Sequence, residues 1–470
     1  MEESIKFGTG VFRGVIGDTF TKPNIQKICQ AMANLAEKEG LKKQVCIGFD
    51  NRFMSEDFAG YCAEVFLANG FVVNLFKKPT STPVVMYQTM VEENDYGVMI
   101  TASHNPYKYN GIKIFVKNGK DASVEETQKI EKEFKTLGEV KATNISEYEG
   151  KNLNIVDHFG DFISYLVKNQ EIPEASDLKV AFDNKYGSTT EGLRLLCKKI
   201  KLNNYKILHA NRNAFFGFKV PLPSKENVSE LKDEVIKNGY DVGFALDSDG
   251  DRLGVVDENG RYIDNNKILA LIYYYFVKYE HKTGGVVKNL ATSYLVDALA
   301  NKFGFNCYEV PVGFKYVSSK LIETKSIVGG ESSGGLAVSN HIWGKDSLLS
   351  IALCIKIMKK LNKPFGKCVD EMLAFVDNYS KVVDEEQFVF SHDEAKRIKE
   401  EIYEKKEIPK LNLKVEKTNY DDGLKVYYPD GNWTLVRFSG TEPLLRIFIE
   451  MDNINDCKKE LDLWKKFLGI

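Results

Sequence analysis

Three times in this chain a helical period runs through a short turn into an apolar strand, breaks on a polar loop, and resumes as a second strand. The first copy reads VVMYQTMVEEN, YGVMI, a loop around Ser103, then GIKIFV. The second reads NVSELKDEVIKNG, YDVGFAL, DSDGDR, then LGVV. The third reads KYVSSKLIETK, SIVGG, ESSGG, then LAV. In the second helix Val228, Leu231 and Val235 fall at i, i+3 and i+7, one buried face. The copies share no residue-level identity, so the repeat is one of topology and not of sequence. Helices alternating with apolar strands predict α/β domains. A plain succession of helix–strand steps does not explain why each copy places its unusual polar loop at the same step.

The last hundred residues follow another rule. LNLKVEK, GLKVYY, NWTLVRF and LLRIFIE read as four strands, with Asp-Gly turn signals at 422–423 and 430–431. A helix carrying Ile454, Cys457, Leu461 and Trp464 on one face follows them. Charge-rich, apolar-poor stretches near 138–152 and 381–410 read as surface connections. At 470 residues there is room for three or four ordinary domains. The expected fold is three topologically similar α/β/α domains with mixed sheets, over 1–152, 153–257 and 258–372, and an antiparallel α+β domain over 373–470.

Composition narrows the partners. The formal net charge is −2, which removes the broad electrostatic case for nucleic acid or an anionic membrane. An anionic substrate must then be met by a local cluster of Lys and Arg. The longest apolar run, Ile268 to Val277, is about half of what a bilayer span needs. Asp264 in front of it suits the cap of a buried helix. The eight cysteines are scattered with no C-x-x-C, so neither a zinc ribbon nor a thioredoxin-type site is indicated. MEESIKFGTG has no apolar core, so it does not read as a signal peptide. A cytoplasmic protein with reduced thiols, monomeric or homodimeric, is expected.

Four polar loops carry the chemistry. In DSDGDR, Asp247, Asp249 and Asp251 alternate within five residues. Carboxylates crowded onto one loop repel, and a divalent cation relieves that repulsion. An EF-hand fits Asp at positions 1, 3 and 5 and Glu258 at 12. It fails at position 6, where Arg252 stands in place of glycine, and on its strand flanks. A solvated acidic turn is the plain alternative; all-oxygen ligands with open positions suit Mg²⁺. In RFSGTEPLLR, Ser439, Gly440 and Thr441 between Arg437 and Arg446 make a phosphate-binding nest without a Walker loop, or an ordinary turn. In GGESSGG, Glu331 and Ser333 set a carboxylate beside a hydroxyl, suited to sugar hydroxyls; alone, the stretch is as readily a flexible glycine loop. In TASHNPYKYNGIK, Ser103 lies outside any G-x-S-x-G elbow. His104, its neighbour, is a poor base for Ser103 if the segment is extended, because adjacent residues then point to opposite sides. Lys113, beyond the loop, can reach back.

Together these loops describe phosphoryl transfer on a polyol phosphate. TASHNPxxxNGxK, DSDGDR, GExSG and RFSGTEP, in this order, resemble the α-D-phosphohexomutase family over nearly the whole chain. The resemblance implies four domains around a central cleft, the last TATA-binding-protein-like. It implies that Ser103 carries a phosphoryl group and that Mg²⁺ binds it with Asp247, Asp249 and Asp251. It further implies a hexose 1,6-bisphosphate intermediate formed from a hexose monophosphate. Lys113 matches the family's proposed general base and Arg13 its N-terminal active-site arginine. Arg252 ends the metal loop close to the phosphoserine, and His104 belongs to the serine motif. Lys345, Glu331 and Ser333 match sugar-site positions; Arg437, Ser439, Gly440, Thr441 and Arg446 match the phosphate-binding loop. One branch has histidine where Gly335 stands here. VGFKYV and GGESSGG look more like bacterial phosphoglucomutases, which points to glucose phosphate over mannose or glucosamine phosphate. The rivals from other classes are a metal-dependent sugar phosphatase and a non-catalytic calcium- or sugar-binding protein.

Overall fold

The polar loops end up where strand pairing puts them. In the computed structural model, which describes residues 5–7, 10–148, 150–438 and 444–470, each repeated unit closes as an antiparallel hairpin. The strand Tyr96–Ile100 runs parallel to Gln44–Phe49 and turns back into Tyr109–Val116. Val242–Leu246 runs parallel to Lys179–Asp183 and turns back into Leu253–Asp257. Val328–Glu331 runs parallel to Val286–Asn289 and turns back into Gly335–Val338. The first strand of each hairpin is buried along its whole length, as expected of strands covered on both faces by helices.

Each unit sits in its own mixed sheet, of seven, five and four strands in chain order. The seven-stranded sheet also takes in Leu153–Val156, parallel to Val72–Phe76, on the far side of the boundary expected at residue 152. Tyr262–Ile263 likewise pairs into the second sheet, beyond residue 257, and the helix Phe365–Phe375 runs across 372/373. Short edge strands after a helix carry too little periodicity to assign from sequence. The apolar run at 268–277 is the buried helix Asn265–Lys278, and the Asp264 side chain accepts from the Lys267 amide at its start. No described helix is long and apolar enough to cross a membrane. All eight cysteines are free thiols.

The fourth sheet is antiparallel and has five strands, in the order Val382–Val389, Leu444–Met451, Trp433–Phe438, Leu424–Tyr427 and Lys417–Asn419. Its first strand, VVDEEQFV, corrects the reading of 381–410 as a connection; its side chains are exposed or half-buried, as suits an edge. LNLKVEK contributes a strand only from Lys417. The helix Ile454–Leu468 buries Cys457, Leu461, Trp464 and Leu468, while Ile454 stays 41% exposed.

One core runs from one face of the first sheet through the second and third domains, joining Met86 and Phe115 to Phe162, Leu246, Tyr273 and Leu353, and the other face of the first sheet packs a separate core around Ile28, Ile47, Phe66 and Ile112. The fourth domain has a separate core. It meets the third through a small apolar cluster of Leu290, Ala291, Trp433, Leu435 and Phe448 and through buried carboxylates. Glu450 accepts from Ser293 Oγ (2.5 Å), the Tyr294 amide (2.7 Å), Tyr379 Oη (2.8 Å) and Trp433 Nε1 (2.5 Å). Glu309 accepts from Lys425 Nζ at 2.6 Å, and Lys288 Nζ lies 3.5 Å away.

Candidate active site

The four domains enclose a cleft of about 1070 Å³. Ser103, His104, Arg13, Lys113, Asp251, Arg252, Glu331, Ser333, Lys345, Arg437 and Arg446 all line it. Residues as far apart in sequence as Arg13 and Arg446 thus line one cleft. Ser439, Gly440 and Thr441 lie outside the described residues.

Ser103 is 1% exposed, and its φ of +51° is a conformation that surroundings must impose on a non-glycine residue. Its amide donates to Thr101 Oγ1 (2.9 Å) and its hydroxyl to Asp247 Oδ2 (2.7 Å). The segment is therefore not extended, which corrects the expectation for His104: its Nδ1 lies 3.3 Å from Ser103 Oγ. Burial, then Arg252, Arg13 and Lys345, hold the His104 imidazole well below the usual histidine range, so it is neutral.

The acidic loop brings oxygens of Asp247, Asp249 and Asp251 within 4.8 Å of one another, all buried. Burial, then Asp249 and Asp251, push Asp247 well above the ordinary carboxylate range. Asp247 Oδ1 accepts the amides of Asp251 (3.0 Å) and Arg252 (3.1 Å). Asp249 Oδ1 and Asp251 Oδ1 are buried and without hydrogen-bond partners. Crowded, unsatisfied carboxylate oxygens are what a hard divalent cation takes up, so these residues fit Mg²⁺.

Lys113 Nζ is 2.6 Å from Asp249 Oδ2 and 2.7 Å from Asp251 Oδ2. Burial acts against its charge, but the two carboxylates win and raise its pKa above the ordinary lysine value. Lys345 Nζ lies 3.4 Å from Asp251 Oδ2, and Arg252 Nε 3.9 Å from Asp251 Oδ1. Arg13 Nε is buried without a partner; burial, then Arg252, lower its pKa to about 10. Glu331 Oε1 accepts from Asn289 Nδ2 (2.9 Å) and the Gly313 amide (3.0 Å), and Ser333 Oγ stands 3.5 Å from Oε2. A Cβ at Gly335 would meet Lys345 Cδ at 2.2 Å, so the lysine stem fills the space a side chain there would need.

Sequence reasoning missed several partners. Thr82, at the start of the helix Thr82–Val91, gives its amide to the Asp249 carbonyl (2.8 Å) and its hydroxyl to Asp249 Oδ2 (2.5 Å). Asp422 Oδ2 accepts from both Arg437 Nε (2.8 Å) and the Val312 amide (2.9 Å). In sequence, Asp422 signals only a turn with Gly423, whose φ is +95°. Arg446 Nη1 lies 3.5 Å from Glu385 Oε1.

Residues 4–141, 160–260 and 264–375 match the phosphoglucomutase/phosphomannomutase alpha/beta/alpha domains I, II and III, and 399–461 the C-terminal domain of the same proteins. A phosphoglucomutase/phosphomannomutase of Thermococcus kodakarensis is 30% identical over 98% of both chains. The chain belongs to the phosphoglucomutase/phosphomannomutase family. A phosphoglucosamine mutase of Oceanobacillus iheyensis is 28% identical, covering 97% of this chain and 96% of the other. The fold is shared with the open form of parafusin, a phosphoglucomutase of Paramecium, at a TM-score of 0.83 and 20% identity over 100% and 96% of the two chains. It is also shared with a family protein of Burkholderia thailandensis, at 0.81 and 21% over 99% and 97%. Family membership makes this chain a phosphohexomutase.

Proposed function

We propose that the protein interconverts glucose 1-phosphate and glucose 6-phosphate through a phosphoserine at Ser103 and a bisphosphorylated sugar. The observation that carries this reading is the single cleft onto which the serine, the acidic loop, the Glu331–Ser333 pair and two arginines of the fourth domain all open.

The phosphoryl group leaves Ser103 Oγ as its P–O bond breaks, a new P–O bond forms to a hydroxyl of the sugar monophosphate, and the proton that hydroxyl gives up ends on Ser103 Oγ. In the return step the other phosphate passes to Ser103 Oγ, and the serine hydroxyl gives up its proton. His104 Nδ1, 3.3 Å from Ser103 Oγ, is within reach of that proton, but burial and the neighbouring cations disfavour its charged form, so the proton ends on the sugar oxygen that gives up its phosphoryl group. Lys113, 2.6 Å from Asp249 and 2.7 Å from Asp251, brings positive charge to the loop. Asp247, Asp249, Asp251 and the Ser103 phosphate would hold Mg²⁺, which supplies positive charge against the phosphoryl oxygens. Arg437 and Arg446 anchor the phosphate that is not reacting, while Glu331 and Ser333 take sugar hydroxyls. An anchor on the distant phosphate keeps the bisphosphate from being lost and separates this reading from a phosphatase.

Glucose is supported by the VGFKYV and GGESSGG signatures. Glucosamine phosphate is the second reading, favoured by the Oceanobacillus relative. The unpaired thiols suit a reducing cytoplasm. The test is kcat/KM for glucose, mannose and glucosamine 1-phosphates, with intact-mass measurement of the resting enzyme. About 80 Da added on one serine is expected. A resting enzyme that never carries phosphate, or one that releases inorganic phosphate at the mutase rate, would refute the relay.

A further inference from the structure

Asp50 and Arg52 follow the strand Gln44–Phe49 in FDNRF, a stretch with no recognisable chemistry in sequence. Both are 0% exposed, and their ion pair, Arg52 Nε to Asp50 Oδ2, measures 3.2 Å. The other four guanidinium donors all go to backbone carbonyls of one loop. Nη1 donates to Pro106 O and Tyr109 O, each at 3.1 Å. Nη2 donates to Asn105 O at 2.8 Å and to Ser103 O. All five N–H groups of this arginine are therefore spent, four of them on the turn that carries the nucleophile. Asp50 completes the frame from the other side: its Oδ2 accepts from Thr101 Oγ1 (2.7 Å), the hydroxyl that receives the Ser103 amide.

The same arginine reads the second domain. Ser248, between two of the acidic-loop aspartates, places its Oγ 2.6 Å from Ser103 O, 3.1 Å from Asp50 Oδ2 and 3.4 Å from Arg52 Nη2. The guanidinium carbon lies 4.8 Å from the centre of the Phe216 ring. Phe216, Gly217 and Phe218 are all left-handed, with φ of 51°, 61° and 59°. That bend brings Phe215 and Phe218 to Tyr107 of the serine loop, at ring distances of 5.5 and 5.6 Å.

We propose that Arg52 is a positioning residue for phosphoryl transfer, fixing the Ser103 loop in register with the acidic loop through contacts that the second domain completes. The proposal rests on the phosphoserine reading of Ser103. It explains how a serine holds a left-handed backbone beside three carboxylates. Asp50 and Ser248 pin one carbonyl of the turn and the hydroxyl at its entry, and Arg52 pins the rest.

The test uses the full chain with Mg²⁺, in both reaction directions, with glucose 1,6-bisphosphate as primer. Phosphoserine on the parent enzyme, read by intact mass, checks the underlying reading on its own. Arg52→Lys keeps a charge beside Asp50 but has three donors where five are used. A folded Arg52→Lys enzyme should lose about 100-fold in kcat, the scale of a ~1 Å misplacement, with KM within about threefold. Methylguanidinium should restore part of the kcat of Arg52→Ala and none of that of Ser103→Ala. A merely structural role would lower the folded fraction without that split or rescue. Parental kcat in folded Arg52→Lys, or a KM rise that accounts for the whole loss, overturns the proposal. If neither Arg52 variant folds, Ser248→Ala decides. A kcat loss of about tenfold at unchanged KM supports positioning across the domain boundary; parental kcat overturns it.

Discussion

Replacing Asp249 with Asn keeps the shape of the acidic loop and removes one charge. Its oxygens lie within 4.8 Å of those of Asp247 and Asp251, so each like-charge contact costs about 3.5 kcal/mol at an effective dielectric of about 20. Lys113, at 2.6 Å, returns about 6 kcal/mol on the same scale. With both neighbours ionised, the two repulsions nearly cancel the attraction, and Asp249→Asn changes metal-free stability little. With Asp247 protonated, the direction in which burial and its neighbours push it, only one repulsion is relieved, and the loss is about 3 kcal/mol. The metal-free effect therefore lies between these bounds. Toward a dication the lost charge counts twice, about 7 kcal/mol at the same separation, before Lys113 and solvation take their share. Mg²⁺ binding should weaken at least a hundredfold, about 2.7 kcal/mol. Calorimetric titration of parent and variant with Mg²⁺, beside thermal melts in EDTA, reads both quantities. Equal Mg²⁺ affinity in the two proteins, or full turnover of the parent after exhaustive chelation, would refute the reasoning.

Ser103→Ala should fold, because the left-handed turn keeps its carbonyl contacts, and should lose turnover by several orders of magnitude together with the added phosphate mass. Arg437→Ala should cost roughly 1.5–3 kcal/mol in binding, for the 1-phosphate and the 6-phosphate alike; kcat/KM in both directions checks this, and a one-sided defect would contradict a shared anchor. Burial pushes the Glu309 carboxyl up, but Lys288 and Lys425 prevail and bring it to about 2. A pKa depressed below the unfolded value of about 4.3 stabilises the fold at higher pH, and that contribution is lost as pH falls from about 4.3 toward 2. An acid titration of tryptophan fluorescence, Trp433 lying in that interface, should show a transition that Glu309→Gln flattens.

The hairpins were legible because buried strands leave unbroken apolar runs and because glycine and acidic residues punctuate them. DSDGDR declared itself for the same reason: three carboxylates on one loop have few uses. Asp50 and Arg52 were not legible. Arg52 donates to carbonyls more than fifty residues away, Asp50 accepts from hydroxyls as distant as Thr101 and Ser248, and a backbone acceptor leaves no residue-type signature. His104 was misjudged through a local assumption, since the alternation of side chains holds only while φ stays extended. Val382–Val389 was missed because an edge strand with few buried positions shows no apolar period.

The joint between the third and fourth domains has a consequence for cooperativity. A continuous core joins the first three domains through one face of the first sheet, while the other face of that sheet has a core of its own. The fourth domain keeps its own core and is fastened by a small apolar cluster and by hydrogen bonds to Glu450 and Glu309, bonds that water can replace when the joint opens. The fourth domain is thus expected to open as a unit of its own, with the boundary near residue 375. Amides on the Leu424–Tyr427 and Trp433–Phe438 strands should exchange hydrogen as one unit, through an opening that leaves Val242–Leu246 and Val286–Asn289 protected.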